Sequence, residues 1–354
     1  FEGDFRDLAF LKALLPDTAL RRRVAIPALI RLRGSAGADR GTFSTASTLS
    51  ADGGELSVKG RFNPREQSYD AAIRADSFPL NSFLPADSLG IVDLALQARG
   101  TGFDPLLPRT RTSLRAQIDR AEFGGRDFGG IELDAELDSQ RLSGRISDRD
   151  EALRLLLSVS GTLTEREQRI GLSGSVFGFD LAALGVSPEP IGGSFALDAS
   201  ASAAGKGAYA ARIALDSIEI RNKHRTDRIR PTSVSLHTDS AATRAEAASG
   251  DLSLTFSTPQ SADSLIAALT RSARTLAGQI DAQSIDMEQL KPALPDFALR
   301  VSAGPDNILN SLLKSRKIAF DALNAEGVNC DSLPVSIRLR TEGLAYGNVV
   351  LDTV

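Results

Sequence analysis

Two histidines, one cysteine and two arginine-rich stretches are the residues from which this chain could assemble reactive chemistry. His224 sits in Arg221-Asn-Lys-His-Arg-Thr-Asp-Arg, a charged segment that reads as an exposed hairpin loop. His237 falls on the polar side of Val234 to Thr238, where a strand turns toward water. Neither has a cysteine nearby, and no H-x-x-x-H or H-E-x-x-H spacing exists to grip a metal. Cys330 is alone, which excludes an intrachain disulfide and a cysteine-based metal site. A nucleophile elbow, a P-loop and a kinase signature are all missing. Carboxylates are plentiful but alternate outward along strands, as a wet sheet face requires. The chain is therefore read as a non-enzyme with no cofactor and no metal.

The arginines have a plain reading and a sharper one. Arg21-Arg22-Arg23 with Arg31 and Arg33, and the loop Arg221 to Arg230, are solvated charges or contacts for lipid phosphates at a rim. The net charge of −4, with both signs interspersed, gives no reason to expect nucleic-acid binding. Apolar residues make up 42% of the chain, yet it has no Trp, three Tyr and one Met. The dry surface is aliphatic and lacks the aromatic anchors on which specific interfaces lean. No apolar run approaches the ~18 residues of a membrane span, and no signal peptide is present. The sequence opens on Phe1 and stops inside an apparent strand, so it reads as a piece of something longer, with any membrane anchor outside it.

Period-two alternation dominates. Leu114, Ala116 and Ile118 oppose Arg115, Gln117 and Asp119; Ile131, Leu133, Ala135 and Leu137 oppose Glu132, Asp134, Glu136 and Asp138. Leu153, Leu155, Leu157 and Val159 follow the same rule, as do Phe195, Leu197 and Ala199, then Leu252, Leu254 and Phe256, then Val335, Ile337 and Leu339. Such alternation marks antiparallel strands with one wet and one dry face. Turn signals separate them at Asp52-Gly53-Gly54, Gly124-Gly125 and Gly192-Gly193.

A unit also recurs. LSVKGRFNPREQSYDAAIRADSFPLNSFL (56–84) aligns without a gap on LSVSGTLTEREQRIGLSGSVFGFDLAALG (157–185). Each ends in an apolar hook, and further hooks stand at Phe5 to Leu8 and Ile285 to Leu290. Phe78, Phe179 and Ile285 are spaced by 101 and 106 residues, as in stacked repeats. The division this suggests is 1–84, 85–187, 188–294 and 295–354, with helices near 261–277 and 305–317. Leu265, Leu269, Ala273 and Leu276 form the stripe of the first helix, and each helix is either a cap on the sheet end or a lid over a greasy surface.

Roughly twenty strands with one dry face exceed the ~10 that an open twisted sheet tolerates before curling or splitting. The sheet either splits into tandem sandwiches of about 100 residues or stays whole and curls into a long trough. The expected fold is the second: mainly β, a long antiparallel meander curled into an elongated open trough, with a few short helices. Its expected lining is Leu114, Ile118, Ile131, Leu133, Leu137, Leu155, Leu157, Val159, Leu172, Leu197, Ile213, Leu215, Leu252 and Leu254. An uncovered dry strip of that length needs an occupant, and acyl tails, which ask for dry contact and no hydrogen bonds, match it.

The stretch SGDLSLTFSTPQSADSLIAALTRSARTLAGQIDAQSIDMEQLKPALPDFALRVSAGPDNILNSLL carries a family resemblance. Its order of strand, Asp/Ser-capped helix, I-D-x-x-x-L hook, L-P-x-F-x-L-x-V strand and G-x-x-N before a short helix resembles TamB-type proteins of the AsmA-like superfamily, the translocation and assembly module. The earlier hairpin-and-hook units are similar to that family's repeats. The resemblance implies a periplasmic β-taco groove anchored in the inner membrane outside this stretch and reaching the outer membrane. Phospholipid or another acyl-chain amphipath would be its cargo, and a TamA-like outer-membrane barrel a possible partner engaged through regions outside this stretch. It supplies no catalytic residue. The remaining alternative is a structural or binding array of sandwiches that scaffolds outer-membrane protein assembly.

Overall fold

The computed structural model describes residues 1–6, 24–25, 27, 29–85, 89–205, 207–223, 225–281, 286, 294–315, 318–330, 333–346 and 349–353. Strands account for 66% and helices for 10%, in one large antiparallel sheet that does not close into a barrel. An ordinary domain is about 20–25% strand, so the alternation read from sequence governs about two thirds of the backbone. Tandem sandwiches are not formed, because the meander runs on in one sheet.

The chain divides into two compact units: residues Phe1–Glu165 with Gly174–Gly192, and residues Arg166–Ser173 with Gly193–Val354. The first carries β1 (Glu2–Arg6), β2 (Leu29–Asp39), β3 (Thr42–Ala51), β4 (Gly54–Asn63), β5 (Ser68–Pro79), the single turn α1 (Leu80–Phe83), β6 (Leu89–Thr101), β7 (Arg111–Phe123), β8 (Arg126–Phe128), β9 (Ile131–Asp138), β10 (Arg141–Arg149) and β11 (Leu153–Leu163). β12 (Glu167–Asp180) falls across the division. From β1 to β7, and again from β9 to β11, each strand pairs antiparallel with the next. β7 pairs with β9, and β8 only extends the end of β7. Asp52 and Gly53, at φ 45° and 87°, make the two-residue reversal between β3 and β4, whose backbone twist matches that of the flanking strands.

The hook after β5 is built by a strained serine. Ser77 has φ 47°, its N–H donates to Asp93 Oδ1 at 2.5 Å, and the β5–β6 register slips between Ala75 and Phe78. This bulge swings Phe78 into contact with Phe83, with stacked rings 5.2 Å apart, in a cluster with Ala75 and Val92 that also takes in Leu49, Leu56, Leu80 and Leu94. The hook thus closes back onto the dry face. In the second hook, Asp180 Oδ1 accepts from the N–H groups of Ala182 and Ala183, while Arg126 Nη1 donates to both of their carbonyls. Phe5 is described only as part of β1, and the rest of the hook at residues 5–8 and most of the one at 285–290 lie outside the described residues.

The second unit carries β13 (Gly192–Ala204), β14 (Ala208–Arg221), β15 (Thr226–Ile229), β16 (Thr232–Thr238), β17 (Thr243–Ser249), β18 (Leu252–Thr258), α2 (Ala262–Asp281), β19 (Phe297–Ala303), α3 (Ile308–Ser315), β20 (Ile318–Ala319), β21 (Ala322–Cys330), β22 (Leu333–Tyr346) and β23 (Val349–Thr353). Ser217 has the same positive φ, 51°, next to buried Ile218, but the strand register runs on unchanged from Leu215 opposite Thr232 to Ile218 opposite Ile229. The two helices sit at opposite strand ends. Ala262 N–H donates to Thr238 Oγ1, which fixes the start of α2 beside β16. At the other end, Ile308 N–H donates to Ser249 Oγ and Asn307 Nδ2 to Asp251 Oδ1. Fully buried Asn310 donates to the carbonyls of Pro305 and Phe320. Polar side chains, more than apolar burial, dock these helices.

The stripe expected on α2 is only partly the buried one. Leu265 is half-buried, but Ala268, Ser272 and Gln279 form the inward line, while Ile266, Leu269 and Leu276 are exposed. Ala268 is buried and its carbonyl accepts from Ser272 Oγ, and Gln279 exchanges two hydrogen bonds with the Asp286 backbone. Those local demands outweigh the Leu periodicity.

Candidate functional site: an apolar sheet face

Residues paired directly across antiparallel strands share a face, so the registers assemble the dry face row by row. In the first unit one row runs Val58, Ile73, Leu96, Ala116, Leu133, Ile146, Leu157 from β4 to β11. The row beside it runs Leu32, Leu49, Leu56, Ala75, Leu94, Ile118, Ile131, Asp148, Leu155. A third carries Ala98, Leu114, Ala135, Gly144 and Val159, and a fourth ends in Thr112, Leu137 and Leu142. In the second unit, Ile213, Val234, Ala247, Leu254, Val301, Ala325 and Leu339 form one unbroken row. Leu236, Ala245, Phe256, Leu299, Gly327 and Ile337 form the next.

The expected lining residues fall into these rows. Leu114, Ile118, Ile131, Leu133, Leu137, Leu155, Leu157 and Val159 share one face of the first unit. Ile213 and Leu254 share a row of the second, and Leu215 and Leu252 join through Thr232 and Ser249. Leu172 and Leu197 are half-buried on β12 and β13. Sequence reading passed over Leu96, Ile146, Leu299 and Val301, although the same alternation marks them.

Burial shows how open this face is. Leu137 and Leu157 are buried, but Leu114, Ile118, Ile131, Leu133, Leu155 and Val159 are only half-buried. In the second unit Ile213 is 47% exposed, Val234 46% and Leu339 63%. A packed second layer would have removed most of that area from water. The opposite face is wet and zipped by cross-strand ion pairs: Arg111–Asp138 and Arg115–Asp134 at 2.9 Å, and Arg300–Glu326 at 3.2 Å. Pairs this exposed contribute little to stability, and they keep that face soluble.

One carboxylate interrupts the dry rows. Asp148, 6% exposed, lies between Ile131 and Leu155, and its Oδ1 accepts the Asp150 N–H at 2.8 Å. Burial, which outweighs that hydrogen bond, pushes its carboxyl above the usual carboxylate range. The folded chain then holds the proton more tightly than the unfolded one. Stability falls as pH rises from the ordinary carboxylate value through the raised native one. Asp148→Asn, which keeps the acceptor oxygen, is expected to raise the melting temperature at pH 7 by about 2–4 °C, the response to about 1 kcal/mol, and to match the parent near pH 3. Thermal scans at both pH values check it.

The residues with reactive potential are not gathered. His237 is exposed on the wet face opposite Ala210 and Arg244, Cys330 is half-buried at the end of β21, and His224 lies outside the described residues. No group of three metal-capable side chains occurs among the described residues, and no helix there is long and apolar enough to cross a membrane. Residues 21–23 are outside the described residues too, while Arg33 pairs with Glu2, Arg225 with Asp227 and Arg230 with Asp306. Compared with known proteins, the chain matches no family model, no curated protein and no solved structure, so the use of the apolar face is argued from its own chemistry.

Proposed function

We propose that the apolar face holds hydrocarbon tails and passes them along its rows. In this reading the chain is a periplasmic groove segment that carries phospholipid or another amphipath between inner and outer membranes and so contributes to outer-membrane biogenesis. The observation that carries it is the unbroken aliphatic row, half-exposed in the first unit and more open in the second. Each methylene moved from water onto such a row gains about 0.8 kcal/mol. Along the rows an occupant meets Leu, Ile, Val and Ala with few hydrogen-bonding groups, so no single position holds it and sliding is cheap. The TamB-type resemblance of the sequence supports the same reading, and it implies a membrane anchor and an outer-membrane barrel partner outside this stretch. No catalytic step is part of this reading.

Photo-crosslinkers test the polarity of the face. Placed at Leu96 or Leu254 they are expected to capture phospholipid in cells, and placed one residue on, at Gln97 or Thr255, they are not. Equal capture on both faces would refute the groove.

A further inference from the structure

The wet face of the first unit sets arginine against carboxylate. A cleft of about 730 Å³ there holds Arg61, Arg99 and Arg111 with Glu66, Asp70, Glu136 and Asp138, and Arg99 is bonded to Asp70 at 2.8 Å. That cleft carries no excess of cations.

The second unit breaks the pattern. A cleft of about 420 Å³ on its wet face is lined by Arg169, Arg212, His237, Arg244 and Glu246, with serines 200, 202 and 235 among its walls. Arg212 stands opposite Ser235, and Arg244 opposite His237 and Ser257. Across the β14–β16, β16–β17 and β17–β18 pairings neither arginine faces a carboxylate, and neither makes an ion pair among the described residues. Arg169 is held by Glu167 at 2.6 Å. Asp239 is spent on its own hairpin: the N–H groups of Ala241 and Ala242 hold its carboxyl below the usual range, with His237 and Arg244 adding to the effect. Glu246 is the one carboxylate that lines the cleft.

We infer that this cleft binds a diphosphate. Guanidinium forks match phosphate oxygens two at a time, and hydroxyls along the wall supply further donors. β14 and β17 flank β16, which puts Arg212 and Arg244 on strands roughly 10 Å apart. An anion that engages both has to be wider than one tetrahedral phosphate. The volume falls in the range of small-molecule sites. This site lies on the opposite face from the apolar rows and stands or falls apart from them.

Titration calorimetry of the chain with inorganic pyrophosphate tests it. Binding is expected, weakening as salt screens the charges. Arg212→Ala and Arg244→Ala should each lower affinity about tenfold, the loss of one charge-assisted hydrogen bond, and Glu246→Gln should tighten it. Arg99→Ala, in the neutralised cleft, should leave it unchanged. Vesicles of phosphatidylcholine carrying a prenyl diphosphate identify the source. Retention that free pyrophosphate competes away and that Arg212→Ala weakens assigns a lipid headgroup, whereas pyrophosphate binding without retention assigns a soluble ligand. Failure to bind pyrophosphate, or binding that survives the Arg212→Ala/Arg244→Ala double substitution, overturns the site.

Discussion

Phe78→Ala is expected to destabilise the first unit by about 3–5 kcal/mol, the usual cost of emptying a buried phenylalanine site, and to lower its melting temperature by roughly 10 °C. Phe78 is 5% exposed and stacks on Phe83 within the buried cluster of that unit, so its loss leaves a hole that Leu49, Leu56 and Leu94 cannot fill without moving the strands beneath. Phe103→Ala serves as the contrast. Phe103 stacks on Tyr69 at 5.4 Å but is 62% exposed, so its removal should cost no more than about 1 kcal/mol. Thermal or denaturant unfolding of the two variants should separate a hook that closes the dry face from an aromatic that merely rests at its edge.

The second large effect is functional. Leu133→Asp sets a carboxylate between Ala116 and Ile146 in the middle of a row. A tail crossing that point loses contact with about three methylenes, near 2.4 kcal/mol or roughly fiftyfold in local occupancy, before the charge is counted. A crosslinker at Ile146 should therefore lose nearly all its lipid adduct. Because Leu133 is half-buried and its neighbours can admit water, folding should survive. Leu157 is a poorer place for the same test. It is 7% exposed, so an aspartate there would be buried without a partner and would destabilise the unit as well.

The strands are legible because period-two alternation is a direct consequence of one face being wet, and β9, β11, β18 and β19 follow it residue by residue. What escaped depends on single side chains. Ser77, at the bulge, and Ser217 are non-glycine residues at positive φ, a conformation that sequence preference argues against; the shared Asp-Ser before Phe78 and Ile218 is their only trace in the sequence. Asp148 follows Leu142, Gly144 and Ile146 on the dry parity of β10, so the register sets a carboxylate in a dry row, which the general rule of outward carboxylates does not cover. The α2 stripe misled because Leu269 and Leu276 have the right spacing, whereas Ala268, Ser272 and Gln279 make the contacts. The openness of the face could not be read from periodicity, since a sandwich and an open sheet alternate alike.

Native mass spectrometry of the purified chain, paired with solvent extraction, tests most directly whether the dry rows carry acyl chains. Phospholipid-sized adducts are expected that are lost on delipidation and return on incubation with phospholipid. A chain that emerges lipid-free and takes up none when offered it would show that the dry rows do not hold acyl chains.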